Sequence, residues 1–533
     1  MMMMTMTIRI LSLALLPIAM AAHAQPAPTA PSAAAFAFVL LGEGSDGNPV
    51  PMIRTVVEAA ASCPELRFAS GKASSPMTPR RRPEGGGFED VLVCEARHPV
   101  GEAASVFIGG RRIELPAVSL DTPRRVLLIG DTGCRGDTLQ KPQSCSGGGY
   151  GNAWPFASVA RSEVQPAPDL IVHVGDYNYR GTPASFVLPP HATGYREDLK
   201  VAVYDTGDLD DDDDPQVTIG ATYWSQNIQG SPVPDRWAAW RDDFFGPAAS
   251  LLPRAPWIFS RGNHELCSRA GPGWFYLLDP ASSLLGPGRQ QDTCPPQTPS
   301  HWRAGAWPPP PALPFDREPF PTAPSEPYRL RLGGLNIVAV DSSNAADAVL
   351  YNTGLYIPQY RAVADMLADG TPTWIVTHRP IWGVVKRSKG GTAGDAPYGF
   401  VNVTQQAAVA AVFWSGLPSN VTAVLSGHMH RFQAIGFGGR RPPQLIVGNG
   451  GMELSLVQPP PAAGHPKRPV AVPNLDGLDA LVVGLEEFGA MVITPGAAGA
   501  WTSVLFGPAG HALATCDSTW PVQHDGRSIC ALE

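Results

Sequence analysis

Five short apolar runs in this chain stop in the same way, and that repetition constrains the fold more than any other feature. "RRVLLIGDTG" runs into Asp131, "DLIVHVGDYNY" into Asp176 and "APWIFSRGNHE" into Asn263 and His264. "TWIVTHRP" runs into His378, and "TAVLSGHMH" into His428 and His430. Each is a strand-like run followed by Gly or Thr and then a residue able to ligate a metal. Runs of this kind alternating with helical stretches predict an α/β domain. In such sheets, sites form outside the carboxyl ends of the strands, so five ends converge on one crevice. "PQLIVGNGG" is a candidate sixth strand beside them.

At 533 residues the chain exceeds what one core organises, so several units are expected. Residues 1–24 read as a signal peptide, with Arg9 before an apolar run and Ala22-His23-Ala24 as the cleavage site. That run is too short to cross a bilayer, and no later stretch is longer and apolar enough. The expectation is export to the periplasm or secretion, with no membrane span. Residues 25–35 form a Pro/Ala-rich linker. Residues 36–120, with segments such as "AFAFVLL" and "EDVLVCEA" between Gly/Pro turns, read as a small β-rich accessory domain. Residues 121–533 form the catalytic domain, with insertions at about 181–235 and 295–327. The acidic run Asp210 to Asp214 lacks the glycine and glutamate of a calcium loop and reads as a solvated loop. A net charge of −8 argues against a nucleic-acid partner.

Eight cysteines with no C-x-x-C pair fit an oxidising compartment and argue against a zinc ribbon. Pairing in sequence order, Cys63–Cys94, Cys134–Cys145, Cys267–Cys294 and Cys516–Cys530, is the simplest of roughly 105 connectivities.

The strand ends carry Asp131, Asp176 and Asn263 as oxygen donors, His264, His378, His428 and His430 as imidazoles, and Tyr179. Oxygen and imidazole together suit iron, zinc or manganese. The set is too large for one tetrahedral ion. It is enough for two ions sharing a carboxylate, about 3.5–4 Å apart, an arrangement that hydrolyses phosphate esters. His173, inside its apolar run, reads as a core histidine. No G-x-S-x-G elbow is present, which disfavours a serine hydrolase.

Asp131-Thr132-Gly133, Gly175-Asp176-Tyr177-Asn178-Tyr179, Gly262-Asn263-His264-Glu265, His378 and Gly427-His428-Met429-His430 together resemble the calcineurin-like metallophosphoesterases, and within them the purple acid phosphatases. The resemblance spans about 124 to 455. It implies a ββ-sandwich flanked by helices (α/β/β/α layers), preceded by a β-rich N-terminal domain. It implies a ferric site of Asp131, Asp176, Tyr179 and His430, and a divalent site (Fe, Zn or Mn) of Asp176 as bridge, Asn263, His378 and His428. Most of the superfamily carries a histidine where this chain has Gly133, and Tyr179 as a phenolate would replace it. His264 would lie outside the metal shell and serve the leaving group. Arg135, Arg379 and Arg431 adjoin motif residues and read equally as phosphate clamps or surface salt bridges. The implied activity is hydrolysis of small phosphate monoesters by a metal-bridged hydroxide. A phosphodiesterase or nucleotidase on the same centre is the alternative. A catalytically dead binding protein is disfavoured because no ligand is missing.

Overall fold

A computed structural model of the chain describes residues 34–71, 76–83, 87–134, 143–145, 152–161, 167–179, 235–265, 270–294, 325–343, 345, 347, 353–386, 398–439, 441–454, 469–520 and 529–533. The signal-peptide and linker readings, the acidic run and nearly all of both insertions lie outside these residues.

Each strand-like run is a strand, and the strands fall into two large sheets. In the first, Val126–Ile129, Leu170–His173 and Trp257–Phe259 run parallel and adjacent. In the second, Leu335–Ala339, Thr373–Val376, Val421–Ser426 and Gln444–Val447 do the same. The last of these is the "PQLIVGNGG" run. Parallel alignment within each sheet puts all carboxyl ends on one edge.

The sheets stack face to face. Val126, Leu128, Leu170, Val172 and Ile258 of the first share one apolar core with Ile337, Trp374, Val376, Leu425 and Leu445 of the second. The alternate residues of each strand face outward and are covered as well. On the second sheet, Val338, Ile375 and Val424 pack against the helices Thr353–Leu367 and Val403–Val412. On the first, Trp257, Phe259 and His173 meet Phe244, from a segment that begins as the α-helix Trp237–Trp240 and continues as the π-helix Arg241–Phe245. Burial on both faces is why these runs show no polar alternation. Each fully buried large apolar side chain contributes roughly 1.5–3 kcal/mol. The chain is thus α/β, two packed β layers flanked by helices, with a β-rich N-terminal region. Among the described residues no helix is long and apolar enough to cross a membrane.

The β-rich N-terminal region joins the first sheet. Ala35–Glu43 pairs in parallel with Trp257–Phe259, Leu40 opposite Trp257, and Pro49–Glu58 and Val91–Arg97 extend the same sheet outward. Residues 35–533 form one compact unit. The physical reason is burial: all nine residues of Ala35–Glu43 are buried, which a strand gains only inside a sheet covered on both faces.

The disulfides Cys63–Cys94, Cys134–Cys145 and Cys516–Cys530 are formed as expected. Cys294 is disulfide-bonded, and Cys267, the partner read for it, lies outside the described residues.

Candidate metal centre

The strand ends meet where the two sheets share an edge. Asp131, Asp176 and His430 bring ligand atoms within 4.8 Å of one another, and Asp176, His378 and His428 do the same. Asp176 belongs to both groups, so it stands where a bridging carboxylate would. All five residues are buried.

The backbone is forced into place at these positions. Asp131, Asp176, His428 and His430 have φ of 54°, 60°, 73° and 44°, in the left-handed region that costs non-glycine residues about 1–3 kcal/mol each. Cross-ties hold the turns: Asp131 N–H donates to the Gly175 carbonyl at 3.0 Å, and Gly427 N–H to that of His378 at 2.9 Å. Neighbouring glycines are needed for close approach. A Cβ at Gly427 would lie 2.2 Å from Asp131 Oδ2, and one at Gly262 would lie 2.0 Å from Asp176 Oδ1.

Tyr179 enters the first group. Its hydroxyl lies 2.8 Å from Asp176 Oδ2, 2.9 Å from His430 Nε2 and 3.5 Å from Asp131 Oδ1. A Cβ at Gly133 would fall 2.5 Å from the Tyr179 ring, so a side chain at 133 and this tyrosine exclude each other. Asn263 enters the second group, with Oδ1 2.8 Å from His378 Nε2.

The donor set fits a cation. His378 Nδ1 donates to the Val174 carbonyl at 2.8 Å, so Nε2 is the ring nitrogen that faces Asn263 Oδ1 and Asp176 Oδ2. A ring nitrogen, an amide oxygen and a carboxylate oxygen converging on one point are a donor set suited to a cation. His428 adds a further side chain: its Nε2 lies 2.8 Å from Asp347 Oδ2 and 3.0 Å from Arg379 Nη1, and its Nδ1 is buried with no hydrogen-bond partner among the described residues. Burial pushes Asp131 up to about 7, against the pull of His378, and a nearby cation would reverse that shift.

His264 is buried but belongs to neither group. Its ring lies 3.9 Å from that of Tyr179, and its N–H donates to Asp176 Oδ1 at 2.9 Å. His173 is a satisfied core histidine: Nδ1 accepts from Gly175 N–H and Nε2 donates to Thr132 Oγ1 at 2.9 Å. Burial holds its pKa well below the ordinary value.

The arginines need correcting. Arg379 is fully buried in an ion pair with Asp347, with Nε donating to the Ser343 carbonyl at 3.2 Å. Arg431 is buried too, its Nε donating to the Met429 carbonyl at 3.3 Å. Neither is at the surface, so the surface salt-bridge alternative fails for both, because the chain turns inward at both strand ends. Arg135 lies outside the described residues.

Three carboxylates escaped the sequence reading. Glu265 Oε1 and Oε2 accept backbone N–H groups from Asp176, Gly262, Tyr177 and Asn178, welding the second and third motif turns together. Its place in "GNHE" was a signal left unused. Asp243, on the π-helical turn, accepts Tyr179 N–H at 2.9 Å. Asp347 accepts from His428, Arg379 and Asn402 Nδ2, and Asn402 in turn caps the helix Val403–Val412. Burial alone would raise Asp347, but Arg379 and His428 hold it below the usual carboxylate range. No motif marks Asp243 or Asp347.

A family model for the calcineurin-like phosphoesterases matches residues 124–432. Among solved structures, the chain is similar to a purple acid phosphatase isolated from yellow lupin (Lupinus luteus) seeds, at 10% identity and a TM-score of 0.48, over 90% of this chain and 73% of that one. No curated protein matches.

Proposed function

Because the chain belongs to the calcineurin-like phosphoesterases, whose family model covers more than half its length, we propose that it is an exported hydrolase of phosphate monoesters with a binuclear centre of the purple acid phosphatase type. The carrying observation is the pair of ligand groups hinged on Asp176, with His378 Nε2 facing Asn263 and Asp176 in one of them. Asp131, Asp176, Tyr179 and His430 would hold a ferric ion, and Asp176, Asn263, His378 and His428 a divalent ion (Fe, Zn or Mn). Such a pair, when bound, supplies an activated water and neutralises phosphoryl charge.

The protein's own part is positional. Glu265 and the cross-tied turns fix Asp176 and Asn263 before any ligand arrives. Asp347 sets the His428 tautomer, as carboxylates do for metal-bound histidines. His264, held by its backbone N–H on Asp176 and by the Tyr179 ring, is the candidate proton donor to the departing alcohol. Three disulfides support export to an oxidising compartment.

The test is metal analysis of the purified protein beside turnover of one phosphate monoester and one diester. Two ions per chain with faster monoester turnover is the expected result. Faster diester turnover would move the reading to a phosphodiesterase, and full metal loading with turnover of neither would refute it.

A further inference from the structure

The row of strand ends continues past the metal centre. Ala35–Glu43 lies beside Trp257–Phe259 in the first sheet, and Leu335–Ala339 lies beside Thr373–Val376 in the second, both parallel to their neighbours. Over their ends lies a cavity of about 510 Å³, within the range of small-molecule sites. Glu43, Ser260, Arg261 and Asp341 line it. Adjacent strands are about 4.8 Å apart, so the cavity adjoins the metal centre along the same edge. Arg261 stands two residues before Asn263.

The charges in this cavity do not cancel within its walls. Arg261 is paired with Asp341 at 3.1 Å, and Arg289 with Glu43 at 3.3 Å and Glu326 at 3.8 Å. Behind the wall, Arg54 and Arg80 bond the Asp279 carbonyl oxygen and share Glu95. That leaves two carboxylates without an ion-pair partner among the described residues, one of them, Asp279, next to the second positive charge of the Arg54–Arg80 pair. Asp279 lines the cavity at 1% exposure, and its Oδ2 has no hydrogen-bond partner among the described residues. Asp292, exposed at the mouth, has no ion-pair partner among the described residues. A carboxylate oxygen buried without a donor is costly unless something brings one. Trp274 and Tyr328 add aromatic walls, and Trp274 Nε1 is likewise buried without a partner. Carboxylates beside aromatic surface suit an alkylammonium group, which supplies both N–H donors and positive charge.

We propose that this cavity receives a protonated amine on the alcohol portion of the substrate, so that the preferred class is the phosphate monoesters of amino alcohols. The proposal rests on the monoesterase reading above. In this arrangement the phosphate addresses the ligand groups around Asp176 while the amine reaches along the edge to Asp279 and Asp292. The arginine pairs with Asp341 and Glu43 stay intact, since the incoming charge has its own partners.

The experiment compares kcat/KM for a series of aminoalkyl phosphates of increasing chain length with the hydroxyalkyl phosphates of matching length, on the metal-loaded enzyme. The amine member is expected to be favoured by roughly tenfold or more at the best length, the effect of one charge-assisted contact. Asp279→Asn and Asp292→Asn should each bring that ratio toward one. Asp292 is exposed, so its variant keeps the test valid if Asp279→Asn fails to fold. Equal kcat/KM for both series, or a ratio unmoved in the folded variants, would overturn the proposal. Binding of the free aminoalkanols, followed by tryptophan fluorescence, separates the two readings. Saturable binding that weakens in Asp292→Asn upholds the cavity assignment even if no ester is turned over, and absence of binding overturns it even if neutral esters are hydrolysed well.

Discussion

Replacing Glu265 by glutamine should loosen the whole metal centre, although Glu265 is assigned as no metal's ligand. Its Oε2 accepts the N–H groups of Asp176 and Gly262 at 3.0 Å each, and its Oε1 those of Tyr177 at 2.9 Å and Asn178 at 3.3 Å. Burial and the nearby Asp176 push its carboxyl up; the backbone N–H groups pull the other way, and because they face both oxygens they leave neither turned toward a proton. Glutamine keeps one acceptor and points an NH2 group at the other two donors. Two charge-assisted bonds of about 1.5–3 kcal/mol each are lost, and local relaxation recovers part, so about 3–5 kcal/mol of stability should go. Because Asp176 belongs to both ligand groups, both ions should bind more weakly. The assay is urea denaturation of metal-free protein together with calorimetric metal titration. A Glu265→Gln protein within about 1 kcal/mol of wild type, binding both ions normally, would refute the reasoning.

Tyr179→Phe should abolish the visible charge-transfer band that a ferric phenolate gives the iron-loaded protein; a colourless wild type at full iron occupancy, or a coloured variant, would show that another residue fills the site. Asp347→Asn should weaken divalent-ion affinity by about 10- to 100-fold, because His428 loses the carboxylate that orients it, and an unchanged titration would contradict that role. Asp235 accepts from Gly273 N–H and Trp240 Nε1–H, yet burial pushes its carboxyl from 3.8 up to about 7. A carboxyl raised on folding contributes stability that is complete below pH 4 and lost as pH rises through about 7. Asp235→Asn should therefore flatten the fall in urea stability between pH 4 and 8 by about 4 kcal/mol, and parallel pH profiles for the two proteins would count against the assignment.

The residues that gather at the candidate centre were legible because their signal is local. Each follows its own buried strand within a few residues, and glycine marks where backbone must come close, as at Gly427 against Asp131. The short cysteine loops were legible for the same reason. What was missed depends on contacts distant in sequence. Leu40 pairs with Trp257 across the first sheet, and nothing near either residue announces it. The unbroken apolar run "AFAFVLL" was the available clue, since a strand with one wet face would alternate. Asp347 reaches His428 across 81 positions, and Asp243 reaches Tyr179 across 64, each from a turn without a motif. Arg379 misled by adjacency. His378 turns its Nε2 toward Asn263, while the next residue engages Asp347 and the Ser343 carbonyl.

Anomalous scattering from crystals of the metal-loaded protein tests the central claim most directly. The account predicts two peaks about 3.5–4 Å apart on either side of Asp176, one bounded by Asp131, Tyr179 and His430, the other by Asn263, His378 and His428. A single peak at full loading, or a peak coordinated by His264 in place of Asn263, would contradict it.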